Sequence, residues 1–347
     1  WLDAFESNYA WCINSDGHVG GLAESPDKYG GEPFAFVYTP ATGMVDLNTL
    51  LPVPNDWHLR NANAINDKGQ IVGLGYRTGS DKGRGWLYTP ALLDENGEEL
   101  LPAVIEELAP PSADDQKTIA SKINEDGEVL GRTIDANGVS HAWLFMDGLT
   151  VAVFSPTVGT TASTRELNES GQILIDTDSA AVRISPLGVP EYFYDVWDVW
   201  AMNDNGFFVG RKDFDVEVPI NKKRTEIRTV SRAVRHDGVA ALDLGAGDNS
   251  YAYGINNNGD VTGGRYALNS NMLRGLVYLE EFEQVVELDT AVVGDEIDIL
   301  RWNELGSIQY PRIHDTGQIV SHAPNPYPLL GMSGFILTPV PTAPPEE

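Results

Sequence analysis

Short runs in which apolar and polar residues alternate one for one fill this chain, and each run stops at glycine, proline, asparagine or aspartate. A period of two puts successive side chains on opposite faces of an extended strand, and no stretch sustains the 3.6-residue period of an amphipathic helix. The expected fold class is all-β. The strands come in a fixed order. First is Ala-x-x-Ile-Asn-x-x-Gly-x-Val-x-Gly, clearest as Ala62, Ile65, Asn66, Gly69, Ile71 and Gly73. Its central Asn-x-x-Gly predicts a hairpin turn, because asparagine tolerates the left-handed region and glycine enters it without a Cβ clash. An aromatic or apolar run follows, as at 33–40, 85–90 and 141–146. A short apolar–acidic segment comes last, as at 44–50, 103–109, 239–245 and 285–291. Each unit therefore reads as four strands.

The unit recurs at 10–21, 62–73, 120–131 and 252–263, with degraded copies at 164–175, 199–210 and 310–321. The turn glycines Gly17, Gly69, Gly127, Gly171, Gly206, Gly259 and Gly317 lie 35 to 58 residues apart, around the length of a four-stranded propeller blade. This predicts a single seven-bladed β-propeller over residues 1–340 and a proline-rich linker over 341–347. The seventh copy lacks a fourth-strand signal, whereas residues 1–5 (WLDAF) alternate as such a strand does. The N-terminal strand is therefore expected to complete the last blade and close the ring, removing edges that would template aggregation.

The segments 65–73 (INDKGQIVG), 85–90 (GWLYTP) and 44–50 (MVDLNTL) together resemble the HAF-repeat proteins, bacterial probable extracellular repeat proteins, and the resemblance covers essentially 10–339. It implies a β-propeller, exported and lying outside the cell or on its outer surface. It implies no single activity, since function on such a scaffold resides in the site it carries. Many members have a sorting segment after a proline-rich linker, and 341–347 matches the linker. A chain that begins at Trp1 fits a removed leader or a fragment.

Charge narrows the partners. With 51 acidic and 23 basic residues the formal net charge is −28, which opposes nucleic-acid binding through phosphate repulsion. No run of 18 apolar residues is present, so no membrane span is expected. The lone Cys12 excludes an intramolecular disulfide and sits on an apolar strand, where a buried, inert thiol is expected. The turns at 14–17 and 203–206 offer side-chain oxygens, but a calcium loop needs six or more and no closing acidic ligand recurs at fixed spacing. No cofactor is expected; a structural calcium is the alternative those turns admit.

The six histidines, His18, His58, His141, His236, His314 and His322, fall in different repeats without metal-ligand spacing, and no nucleophile elbow is present. No catalytic residue is therefore assigned. Some secreted propellers with loosely similar repeats are polysaccharide lyases using His, Tyr and Arg. His141, Tyr192, Tyr194 and Arg183 supply those types, so a lyase for uronate-containing polysaccharide is the alternative function. Departures from the repeat are more informative. Just before the motif's Ile, on the strand expected nearest the axis, stand Trp11, Lys122, Arg165, Trp200, Tyr253 and Arg312, which the repeat does not require. Cations and aromatics converging on a funnel suit an anionic sugar or an acidic peptide. Residues 211–235 also hold eight basic residues against four acidic ones. An extended hairpin there, with Lys222, Lys223, Arg224 and Arg228, is expected to dock an acidic partner, a neighbouring copy or an anionic glycan. The functional expectation is a binding or assembly module for a protein partner or an anionic glycan, with self-association as one outcome.

Overall fold

The computed structural model describes residues 7–25, 27–108, 117–156, 161–221, 224–266, 273–288, 309–324 and 332–339. Seven antiparallel sheets follow one another along them, six of four strands and one of three. Within each blade the strands lie side by side in chain order. The first strands are Ser7–Ile13, Trp57–Ile65, Lys117–Ile123, Ala162–Leu167, Trp197–Met202, Ser250–Ile255 and Gln309–Ile313. From blade 1 to blade 7 each touches the next, so they surround the axis and later strands lie outward. A separate small hairpin, Leu92–Leu93 with Glu99–Leu101, precedes the fourth strand of blade 2. The fourth strand expected over 44–50 is shorter, Gly43–Asp46. Asp46 accepts a hydrogen bond from the Asn48 N–H and starts a 3-10 turn over Leu47–Leu50.

The motif asparagine does more than serve its own turn, which corrects the sequence expectation. In blades 1 to 6 its Oδ1 accepts the N–H of the residue four positions on, as Asn66 does from Gln70 at 2.9 Å. In five of these blades its Nδ2 also donates across the junction, whereas that of Asn124 donates to Glu128 of its own turn at 2.8 Å. Asn14 reaches the Asn66 carbonyl at 3.0 Å, Asn66 that of Asn124, Asn168 that of Asn203, Asn203 that of Asn256, and Asn256 that of His314. All these bonds run the same way round the ring. His314 ends the series: its ring bonds Thr316, and no such bond to blade 1 occurs among the described residues.

The motif's closing glycine and the aromatic third strand form one device. Each inner strand carries a register irregularity in its axial stretch, between Ala120 and Lys122 for example. The bulge presses a carbonyl of the first strand onto the second, and a Cβ at Gly73 would overlap the Asn61 carbonyl oxygen. The space left open on the other side is filled by the cross-strand partner: Phe36 opposite Gly21, Trp86 opposite Gly73, Trp143 opposite Gly131. All three aromatics are fully buried.

Burial is divided among seven apolar clusters, one at each blade junction. At the junction of blades 7 and 1, Val320 packs with Ala10, Val19, Phe34 and Phe36, and Asn8 Oδ1 accepts the Gly334 N–H at 2.7 Å. The ring is thus closed by packing. Residues 1–5, expected as the fourth strand of blade 7, and the linker over 341–347 lie outside the described residues.

Candidate functional site

The bulge builds the site. An added residue in one strand re-aims side chains that would otherwise alternate regularly. The residue at that position is Trp11, Asn63, Ser121, Arg165 and Trp200 in blades 1 to 5, and all five line a cavity of about 440 Å³ at one end of the axis. Lys122, Arg132, Arg312 and His322 complete its charged and titratable lining. At the other end, where the inner strands finish, a recess of about 290 Å³ is lined by Asn14, Asn66, Asn168, Asn203 and Asn256 and by Asp67, Glu125, Glu166, Glu169, Asp204 and Asp315.

Lys122, Arg165, Arg312, Trp11 and Trp200 are therefore brought together. Tyr253 is not among the lining residues. It is buried behind Trp200, edge-on at 5.4 Å, and its carbonyl accepts a hydrogen bond from Arg312. The cations are also not idle within the fold, as the repeat pattern alone implied. Lys122 pairs with Glu166 of the next blade at 2.8 Å, a bond that bridges the two ends of the channel. Arg165 pairs with Asp176 at 2.6 Å and lies 4.4 Å from the Trp200 ring, with Arg312 at 5.6 Å from the same ring. Burial pushes the Arg312 guanidinium below its ordinary range; Arg165 adds to this and Glu166 opposes it. Arg132 is lowered for the same first reason and by the charge of Arg165. Burial likewise raises the Asp176 carboxyl, against the pull of Arg165. His322, edge-on to Tyr9 at 5.1 Å, is pushed down to about 4 by burial and is neutral at pH 7.

Arg132 and His322 were missed from sequence. Both occupy the position directly after the motif's last residue, where other blades carry Leu22, Leu74, Asp176, Arg211 and Gly264. Comparing that column across repeats is the signal that finds them.

The acidic end has its own rule. Ser15, Asp67, Glu125, Glu169, Asp204 and Asn257 each donate a backbone N–H to the side chain at the same position of the next blade, at 2.6 to 2.8 Å. Burial raises the Glu169 carboxyl, reinforced by Asp204 and Glu125, while the hydrogen bond from Glu125 lowers it. These side chains thus serve the ring itself. Among the described residues no group of three or more His, Cys, Asp or Glu side chains is placed to hold a metal ion.

The expected hairpin is present as Phe208–Asn221 and Arg224–His236. Its root cations are held by carboxylates: Lys212 by Asp195, Arg232 by Asp243 and Asp248, Arg235 by Glu280. Arg228 pairs with Glu226 on the same strand, and Arg224 is exposed. Lys222 and Lys223 lie outside the described residues. His141 is engaged by Asp135 and Ser155, and Arg183 by Glu191 and the Gly206 carbonyl. Tyr192 and Tyr194 stack on each other at the surface. None of these four lines the axial cavity. Burial pushes the Cys12 thiol up to about 12, in keeping with an inert role.

No family model matches this chain, and no curated protein matches it. Solved structures do. The β-propeller domain of the trilobed protease from Pyrococcus furiosus is similar over 94% of this chain and 93% of that one, at 10% identity and a TM-score of 0.54. Oligogalacturonate lyase from Vibrio parahaemolyticus is similar over 92% of this chain and 84% of its own, at 10% identity and a TM-score of 0.44. Trypanosoma rangeli sialidase is similar over 96% of this chain and 55% of its own, at 10% identity and a TM-score of 0.45. The first likeness shows the fold. The chain is a seven-bladed β-propeller. Among the described residues no helix is long and apolar enough to cross a membrane.

Proposed function

We propose that this propeller, of the HAF-repeat type and exported to the outside of a bacterium, is a binding module that takes an anionic ligand into its axial cavity. One observation carries the reading. Lys122, Arg132, Arg165 and Arg312 converge with Trp11 and Trp200 on one cavity of a chain whose net charge is −28. Burial and the charge of Arg165 disfavour the charged forms of Arg132 and Arg312, and an incoming anion offsets that cost. The indole rings add apolar contact. A concave cavity of about 440 Å³ suits a small group such as one unit of a glycan, whereas protein partners present broad surfaces. The HAF-repeat assignment and the export that goes with it are supported by the 65–73, 85–90 and 44–50 segments.

Affinity electrophoresis tests the reading. Migration is expected to be retarded in gels holding an acidic polysaccharide, less so as salt rises, and unchanged in gels holding a neutral one. Equal mobility in both overturns it. Incubation with a uronate polymer is expected to leave ultraviolet absorbance flat. A steady rise from unsaturated products replaces binding by eliminative cleavage, a reading weakened by the dispersal of His141, Tyr192, Tyr194 and Arg183 outside the cavity.

A further inference from the structure

Three blades carry a charged residue directly after the closing position of the motif: Arg132, Asp176 and Arg211. Two of them are explained by the fold. Asp176 meets Arg165 at 2.6 Å, while Arg211 lies 3.5 Å from Asp198 and within about 4 Å of the Trp197 and Tyr251 rings. Arg132 differs. It lines the axial cavity and has no hydrogen-bond acceptor, ion-pair partner or aromatic ring against its guanidinium among the described residues. The other three cations of the cavity already have partners in Glu166, Asp176 and the Tyr253 carbonyl. The cavity therefore offers one unsatisfied guanidinium, and its charge is held under strain by burial and by Arg165.

The neutral lining says what else the ligand carries. Asn61 donates to Asn63 at 2.5 Å, Asn63 to the Ala120 carbonyl at 2.7 Å, and Thr164 to Ser121 at 3.0 Å. Each amide keeps a second N–H, Asn61 keeps its Oδ1, and the Ser121 hydroxyl keeps its proton. Donors and acceptors are thus mixed, a set that pairs with hydroxyl groups, which do both. A carboxylate has two acceptor-only oxygens, both of which a guanidinium fork can take up, whereas the third oxygen of a phosphate would be left to face groups such as the Asn61 Oδ1. Trp11, also lining the cavity, has no ring partner among the described residues, so its indole is available to a ligand ring.

Building on the axial cavity as the ligand site, we infer that Arg132 receives the ligand's anionic group, and that this group is a single carboxylate carried on a hydroxyl-bearing ring, as in an acidic saccharide unit. The planar fork of the guanidinium matches a carboxylate through two parallel hydrogen bonds.

Calorimetric titration with glucuronate, its methyl ester, glucose and glucose 6-phosphate tests this on the wild type, Arg132→Gln and Arg132→Lys, with melting temperature as the folding control. Glucuronate is expected to bind the wild type, with the ester and glucose at least about tenfold weaker, the loss that removal of one charged hydrogen-bond pair brings. Arg132→Gln is expected to lose a similar factor at unchanged melting temperature, and Arg132→Lys to keep part of the affinity. Glucose 6-phosphate binding as well as or better than glucuronate overturns the carboxylate class while the cavity reading stands. Undiminished glucuronate binding by Arg132→Gln overturns the anchor. Failure of both anionic probes to bind the wild type overturns the cavity reading itself.

Discussion

Five of the motif asparagines join a local turn to the neighbouring blade through one amide. Asn66 is buried, accepts from Gln70 through Oδ1 and donates to the Asn124 carbonyl through Nδ2. Removing it strands the part-buried Gln70 N–H and the buried Asn124 C=O, so Asn66→Ala is expected to lower stability by about 2 kcal/mol, two hydrogen bonds' worth. Chemical denaturation measures this. His322 supplies a pH dependence. Its pKa is about 4 in the folded protein against 6.5 as the ordinary value. Between those values the unfolded chain binds a proton that the folded one does not, so the stability His322 contributes is complete above pH 6.5 and lost as pH falls toward 4. The loss amounts to about 3 kcal/mol. Denaturation midpoints of wild type and His322→Leu at pH 7.5 and 4.5 should diverge accordingly, and parallel midpoints would exclude His322 as a source.

At the scale of the strand pair, bulge, glycine and aromatic depend on one another. A methyl group at Gly73 meets both the Asn61 carbonyl and the Trp86 ring, neither of which can withdraw without moving the bulge. Gly73→Ala is expected to cost about 2 to 3 kcal/mol through overpacking, or to leave the protein insoluble. It should also disturb the cavity, because Asn61 and Asn63 line it from the same bulge. Thermal melting and ligand titration of this variant would show the two losses together. This coupling marks what sequence could reveal. Repeat, turn glycines, strand order and the axial location of Lys122, Arg165, Arg312, Trp11 and Trp200 were legible because alternation and turn chemistry are local. The partners of those cations were not. Glu166 and Asp176 reach them from an adjacent blade and an adjacent strand, and a one-residue bulge reverses which side chains face the axis. Tyr253 shows the limit: it holds the same repeat position as Trp200 yet packs behind it.

Over the whole molecule the axis is electrically polar. Carboxylates of Asp67, Glu125, Glu169, Asp204 and Asp315 ring one mouth, cations crowd the other, and the Lys122–Glu166 pair spans them. An anion is steered away from the first mouth and toward the second. The seam between blades 7 and 1 is where closure is tested. Residues 1–5 are proposed to fill the fourth place of blade 7, so deleting them should lower the melting temperature and promote aggregation by baring an edge. Unchanged melting and solubility would reject that assignment.

Because the asparagine bonds all point the same way round the ring, blades 2, 5 and 6 each present a donor on one side and an acceptor on the other, whereas the Asn124 amide of blade 3 turns back to Glu128 and leaves the Asn168 carbonyl of blade 4 without that bond. Blades 2, 5 and 6 are therefore exchangeable parts. Unequal recombination between two repeats could add or remove a blade and leave every remaining amide with a partner. The junction of blades 3 and 4 and the one that meets at His314 lack the bond among the described residues, so changes in copy number should leave their scars there and not at blades 2, 5 and 6.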